Sequence, residues 1–153
     1  ESGIAWCHLN SESELLRELI PGAVEVSGSD SDERKEEVFK AFRDGQVRVL
    51  VTKPKIAAFG MNWQHCSHMT YFPTHSFEQY YQAIRRCWRY GQKNAVKVDV
   101  ISSEGQSGIL ANLKRKDEAC QVMFDQLIAY MNDALHLDRM SKFHKKEEIP
   151  SWL

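Results

Sequence analysis

Three guanidinium groups crowd one short stretch: Arg85, Arg86 and Arg89 lie within the run Gln82-Ala83-Ile84-Arg85-Arg86-Cys87-Trp88-Arg89-Tyr90-Gly91-Gln92. The pattern predicts a helix from Phe77 to Tyr90, capped by Ser76 and closed by Gly91, and on it Arg86 and Arg89 share a face. Like charges at that spacing repel. Their planar, forked donors suit phosphate oxygens better than point charges do, so the chemistry on offer is a phosphate clamp. The flanking Tyr80, Tyr81, Trp88 and Tyr90 argue for a half-buried helix rather than a freely hydrated basic face.

Other reactive groups offer less. His65, Cys66, His68 and His75 are metal-ligand types within a short span, but His65 and Cys66 are adjacent and diverge, and His68 heads an expected strand, so no metal site is assigned. Trp63 and Trp88 are candidates for base stacking, with core packing the commoner use of such residues. The sequence has no Gly-x-x-x-x-Gly-Lys-Ser/Thr loop, no acidic magnesium-binding motif, no nucleophile elbow and no dinucleotide glycine fingerprint. These residues supply half of an active site.

The Gln82–Gln92 run resembles motif VI of superfamily two helicases and translocases, in particular the Swi/Snf-like branch, with the pattern Gln-Ala-x-x-Arg-x-x-Arg-x-Gly-Gln matched at every fixed position. Ala58-Phe59-Gly60-Met61-Asn62 resembles motif V, and Ser27-Gly28-Ser29 with Arg34 resembles the family's Asp-Gly-Ser segment. Order and spacing agree over residues 3–103, about two thirds of the chain, and phage-type DEAD/DEAH-box helicases are the nearest group. The resemblance implies a C-terminal RecA-like lobe of an ATP-dependent DNA helicase or translocase. It makes Arg86 and Arg89 the catalytic arginine fingers, reaching ATP and Mg2+ held mainly by an N-terminal lobe. It makes Gln82, Gly60 and Asn62 the residues that couple ATP to nucleic acid, and Gly28 and Ser29 contacts to a phosphate of the tracked strand. Thr52, two residues ahead of the family's phosphate-binding Ser or Thr, joins the nucleic-acid set. Arg85 stands where the family commonly has Asp or Gly and receives no role, and the usual paired glycines of motif V are replaced by Ala57 and Ala58.

The elements that must position these groups can be read in order. Ile4–Leu9 is a short apolar run expected as a strand. Ser11 and Glu14 form a capping box before a helix that Pro21-Gly22 stops. A strand at 24–26 precedes a helix capped by Asp30 or Ser31, with Val38, Phe39, Ala41 and Phe42 on its inner face and Gly45 at its end. Val47–Thr52 reads as a strand of a covered parallel sheet, His68–Phe72 as a fourth, and Val96–Ile101 as a fifth with one wetter face. Alternating strands and helices imply right-handed crossovers and an α/β, RecA-like three-layer domain with a mainly parallel sheet. Residues 1–104 are expected to form this core. Helical spacing of Ile109, Leu110, Leu113, Val122, Met123, Leu127, Ile128 and Met131 predicts an extension packing on it over 105–137, before a charged, mobile tail at 138–153.

Composition narrows the partners. With 20 basic and 21 acidic residues the net charge is −1, so nucleic-acid binding must come from local groups rather than global attraction. Four cysteines far apart, without a Cys-x-x-Cys pair, read as reduced thiols. No apolar run approaches the roughly 20 residues of a membrane span. A soluble, monomeric, cytoplasmic fragment of a prokaryotic or phage-infected cell is expected. The alternative is a RecA-like protein-interaction module that has lost ATP coupling, against which the intact Gln82, Arg86, Arg89 and Asn62 speak. Because the phosphate-cradling loop is absent, this chain alone is expected to be inactive and to bind ATP weakly or not at all. Calorimetry that found tight, magnesium-dependent ATP binding would contradict that expectation.

Overall fold

The computed structural model describes residues 2–56 and 61–143. The chain divides into two units, residues 1–113 and 114–153. In the first, β1 (Gly3–Trp6), β2 (Ala23–Val26), β3 (Val49–Thr52), β4 (His68–Tyr71) and β5 (Lys97–Val100) alternate with α1 (Asn10–Leu19), α2 (Asp32–Arg43) and α3 (Phe77–Arg85). All pairings are parallel, in the order β2-β3-β1-β4-β5. The apolar strand β1, with Ile4, Ala5 and Trp6 buried, takes the centre, where both faces and both edges are covered.

Strand alternation sends side chains to two unequal layers. Ile4, Trp6, Val26, Leu50, Met69 and Tyr71 point to one face, where α2 contributes Val38, Phe39 and Phe42 and α3 contributes Ala83. Ala5, Cys7 and Val51 point to the other and meet Leu16 of α1 and Phe72. This is the three-layer parallel α/β architecture expected, with Trp63 at the centre of the larger layer. Its ring lies 6.0 Å from Trp6, 5.4 Å from Phe39 and edge-on to Phe42 at 5.6 Å. Trp63 is therefore core, whereas Trp88 is about half exposed.

Helix ends follow local chemistry, with one correction. The cap of α1 lies upstream of the expected Ser11–Glu14 box: Ser11 is already helical, and the Glu12 carboxylate accepts from the amides of His8 and Leu9, both at 3.0 Å. A single carboxylate that satisfies two amides at the helix's positive end displaces the weaker hydroxyl cap. At α2 the Asp30 carboxylate turns back to accept from the Ser27 amide at 2.8 Å, leaving Ser31 to cap by accepting from Arg34 at 3.3 Å. The helix closes at Gly45, φ +77°, as Gln46 donates to Ala41 and Gly45 to Phe42, the paired bonds of a left-handed glycine stop.

The expected wet face of β5 is present: His68 Nε2 lies 2.7 Å from Asp99 Oδ2, and Lys97 Nζ lies 3.2 Å from Asp99 Oδ1. These contacts, the His68 bond first, hold the Asp99 carboxyl below its ordinary value. Beyond β5 a 3-10 turn at Glu104–Gln106 leads to α4, Ser107–Phe143. The helix thus continues through the first residues of the expected tail; residues 144–153 lie outside the described ones. No helix among the described residues is long and apolar enough to cross a membrane.

Since Trp63 is fully buried among three aromatic rings, Trp63→Ala is expected to destabilise the domain by about 3–5 kcal/mol. Urea unfolding followed by far-ultraviolet circular dichroism measures this, and a loss below about 1 kcal/mol would remove Trp63 from the centre of the core.

Candidate functional site

The arginine segment departs from the expected single helix. α3 ends at Arg85, and Arg86 through Gly91 form a chain of turns. Hydrogen bonds from outside the helix hold this segment. The Arg86 carbonyl, which a continuing helix would offer to residue 90, accepts instead from the Trp63 amide at 3.0 Å. The Tyr90 carbonyl accepts from the Gln64 side-chain amide, and the Gln92 side-chain amide donates to Cys66 O at 3.0 Å and Cys87 O at 3.3 Å. Gly91 sits at φ +93°, where a Cβ would come within 3.0 Å of the Gln64 amide. Segments 63–66 and 86–92 are stitched together where the sequence alone predicts a continuing helix.

Arg86 is half-buried and Arg89 exposed. Among the described residues neither pairs with a carboxylate. Burial, and after it the Arg89 charge, push the Arg86 guanidinium below its ordinary value, though a guanidinium stays charged throughout the physiological range. The two cations lie near enough for the charge of one to act on the other, and no carboxylate among the described residues is paired with either. Arg85 differs: its guanidinium lies 5.0 Å from the Tyr81 ring and 4.6 Å from the Trp88 ring, a surface stack that uses the charge within the chain. Gln82 is exposed and donates to Glu78 at 3.1 Å, and Asn62 is exposed beside buried Trp63. Gly60 lies outside the described residues.

A second site lies at the other edge of the sheet. Parallel strands bring Ser27-Gly28-Ser29 after β2 and Lys53-Pro54-Lys55 after β3 to the carboxyl edge, where open α/β sheets bind ligands. There Ser27, Gly28, Ser29, Lys53 and Lys55 line an open cleft of about 740 Å3 together with Arg34, with Glu14, Glu25 and Asp30 on its walls. The exposed Ser29 hydroxyl lies 2.8 Å from that of the half-buried Ser27. A neighbouring cleft of about 430 Å3 shares Lys53 and Lys55 and adds His8, Thr74 and His75. Lys53 is fixed by donating to the Asn10 side chain. Thr52 lies beneath: it is fully buried and its hydroxyl donates to Val26 O at 3.1 Å, fastening β3 to β2. The lysines were missed in the sequence; their position directly after an apolar strand was the available signal.

The two sites occupy opposite edges. Cys66, bound by Gln92, precedes β4, whose first residue His68 is paired with Gly3 of β1, so the arginine segment sits at the amino ends of the strands. Residues 53–56 carry the lysines after β3, and residues 63–66 carry the stitch before β4. The metal-ligand types scatter: His65 packs on Phe42, Cys66 is buried, and His68 pairs with Asp99. Among the described residues no three such groups converge.

Residues 4–91 match the family model of the helicase conserved C-terminal domain. No curated protein matches the chain. Similar solved structures include the C-terminal part of the Fun30 ATPase domain (15% identity, TM-score 0.63, covering 74% of this chain and 39% of that one). They also include the C-terminal domain of the DEAD-box protein Dbp5 (18% identity, TM-score 0.61, covering 75% and 69%). A third is S. cerevisiae Dbp5 bound to RNA and ADP BeF3 (18% identity, TM-score 0.63, covering 74% and 32%). The chain therefore spans well under half of the Fun30 and RNA-bound Dbp5 structures, and at these identities the likeness is one of fold, the RecA-like lobe. With more than half of its 153 residues inside the family model and a five-stranded parallel sheet to match, the chain belongs to the helicase conserved C-terminal domain family.

Proposed function

We propose that this chain is the C-terminal lobe of an ATP-dependent DNA helicase or translocase of the Swi/Snf-like branch, completing an active site shared with an N-terminal lobe. The observation that carries the reading is the pair Arg86 and Arg89, unpaired among the described residues and held on a stitched, non-helical segment. In this reading the N-terminal lobe holds ATP and Mg2+, and the two guanidiniums close on the β- and γ-phosphates. There they offset charge that accumulates on the transferring phosphoryl group. Gln82, Gly60 and Asn62 couple the nucleotide to the nucleic acid.

The nucleic acid lies along the carboxyl edge, with the Gly28 and Ser29 turn and Lys55 on its phosphates. Thr52, being buried, acts there by holding β2 and β3 in register rather than by touching phosphate. The loop from Lys53 to the stitch gives this edge a covalent connection to the arginines, so a shift on one side has a path to the other. Closure of the two lobes around nucleotide completes the proposal.

In the full-length protein Arg89→Ala is expected to lower DNA-stimulated ATP turnover about a thousandfold while changing ATP affinity little, because a finger acts on charge that develops in the transition state. Arg89→Lys should fail nearly as badly, lacking the planar fork. Arg85→Ala should keep turnover and lose only about 0.5–1 kcal/mol of surface stacking. Steady-state rates with Arg85→Ala crippled and Arg89→Ala unaffected would overturn the assignment.

DNA binding should weaken with salt, and Lys55→Ala should lower the slope of log affinity against log salt by about one. Fluorescence titrations at several salt concentrations measure this. A competing RNA of equal length that bound more tightly than DNA would overturn the choice of DNA.

A further inference from the structure

The stitch raises a question that the arginines do not answer: what fixes the direction in which a non-helical turn presents them? An α-helix would orient Arg86 and Arg89 through its own ladder, but here the ladder ends at Arg85. We propose that Gln92 is the positioning residue of the arginine pair, a two-donor side chain that ties the turn carrying Arg86 and Arg89 to the base of β4. This rests on the reading of those arginines as phosphate-binding fingers.

The geometry uses Gln92 fully. Its side-chain NH2 donates both protons, to Cys66 O at 3.0 Å and to Cys87 O at 3.3 Å, while its Oε1 accepts from the Asn94 amide at 3.0 Å. Its own backbone amide donates to Arg89 O at 3.1 Å. Cys87 lies between the two arginines and is fully buried, as is Cys66, so both ends of the bridge are anchored in the core. The side chain therefore holds the backbone immediately after Arg86, at Cys87, and the backbone amide of the same residue holds that of Arg89. Only a carboxamide of this length brings two donors to two carbonyls and an acceptor to a third group. A carboxylate would set an acceptor against two acceptors, and an apolar side chain of equal length would leave both carbonyls without this partner.

The experiment uses two variants: Gln92→Glu, which reverses the hydrogen-bond polarity, and Gln92→Met, which keeps length and packing without adding charge. In this chain, hydrogen exchange should accelerate at the amides of 86–91 and stay unchanged in β1, β3 and β4. In the full-length protein, kcat for DNA-stimulated ATP hydrolysis should fall by about ten- to a hundredfold, the cost of a misplacement near 1 Å, with KM for ATP nearly constant. A merely structural role would lower stability throughout the sheet and leave kcat per folded molecule unchanged, and that result overturns the inference. So does faster exchange at 86–91 with a wild-type kcat in both variants. Arg89→Ala, assayed alongside, separates the two claims: if it leaves kcat intact the finger reading fails, whatever the Gln92 variants do.

Discussion

The Trp63 amide donates to the Arg86 carbonyl, and that bond joins the centre of the core to the segment that carries the arginines. It gives the carbonyl that a continuing helix would offer to residue 90 a partner from outside the helix. It also fixes the segment before β4 against the segment after α3, because the residue that donates has its ring at the centre of the core. A helix continuing to Tyr90 would have placed Arg86 and Arg89 as surface neighbours on a rigid rod. The broken helix places one half-buried and the other exposed, on a turn whose carbonyls are held from outside.

Sheet geometry explains why one loop can connect two separate sites. A strand of four residues spans roughly 13 Å, and the nine-residue α3 has about the same length. Chain leaving β3 at the carboxyl edge must return past that thickness before entering β4 at the amino edge, as parallel pairing demands. Lys53 and Lys55 stand at the start of this return, and the stitch at residues 63–66 stands at its end. The central β1 is the common reference, hydrogen-bonded to both β3 and β4.

Charge is arranged to match. With a net charge of −1 the chain exerts no general pull on polyanions, and the carboxylates Glu14, Glu25 and Asp30 share the cleft walls with Arg34, Lys53 and Lys55. Attraction is therefore short-ranged, set by groups at fixed positions, and screened within about 10 Å at moderate salt. Arg85, next to Arg86 in sequence, stacks between Tyr81 and Trp88. Adjacent arginines thus have opposite fates because one has aromatic faces within reach and the other does not.

The sequence by itself determined the strand-helix alternation, the parallel α/β class, the inner face of α2, the wet face of β5 and the Gly45 stop, because each depends on periodicity or on a residue's own backbone preference. Motif spacing also marked the arginines and the Gly28-Ser29 turn. Only the tertiary structure showed that α3 ends at Arg85 and that the segment after it is held by a donor 23 positions away in the chain, Trp63 to Arg86. The roles of Gln64 and Gln92 were hidden for the same reason: a glutamine in a turn has no periodic signature, and its partners are carbonyls, which every residue carries. Thr52 lay at the end of a strand in the sequence with its hydroxyl's direction open. The pairing of β2 with β3 turned it inward to Val26 and left the neighbouring lysines to face the cleft.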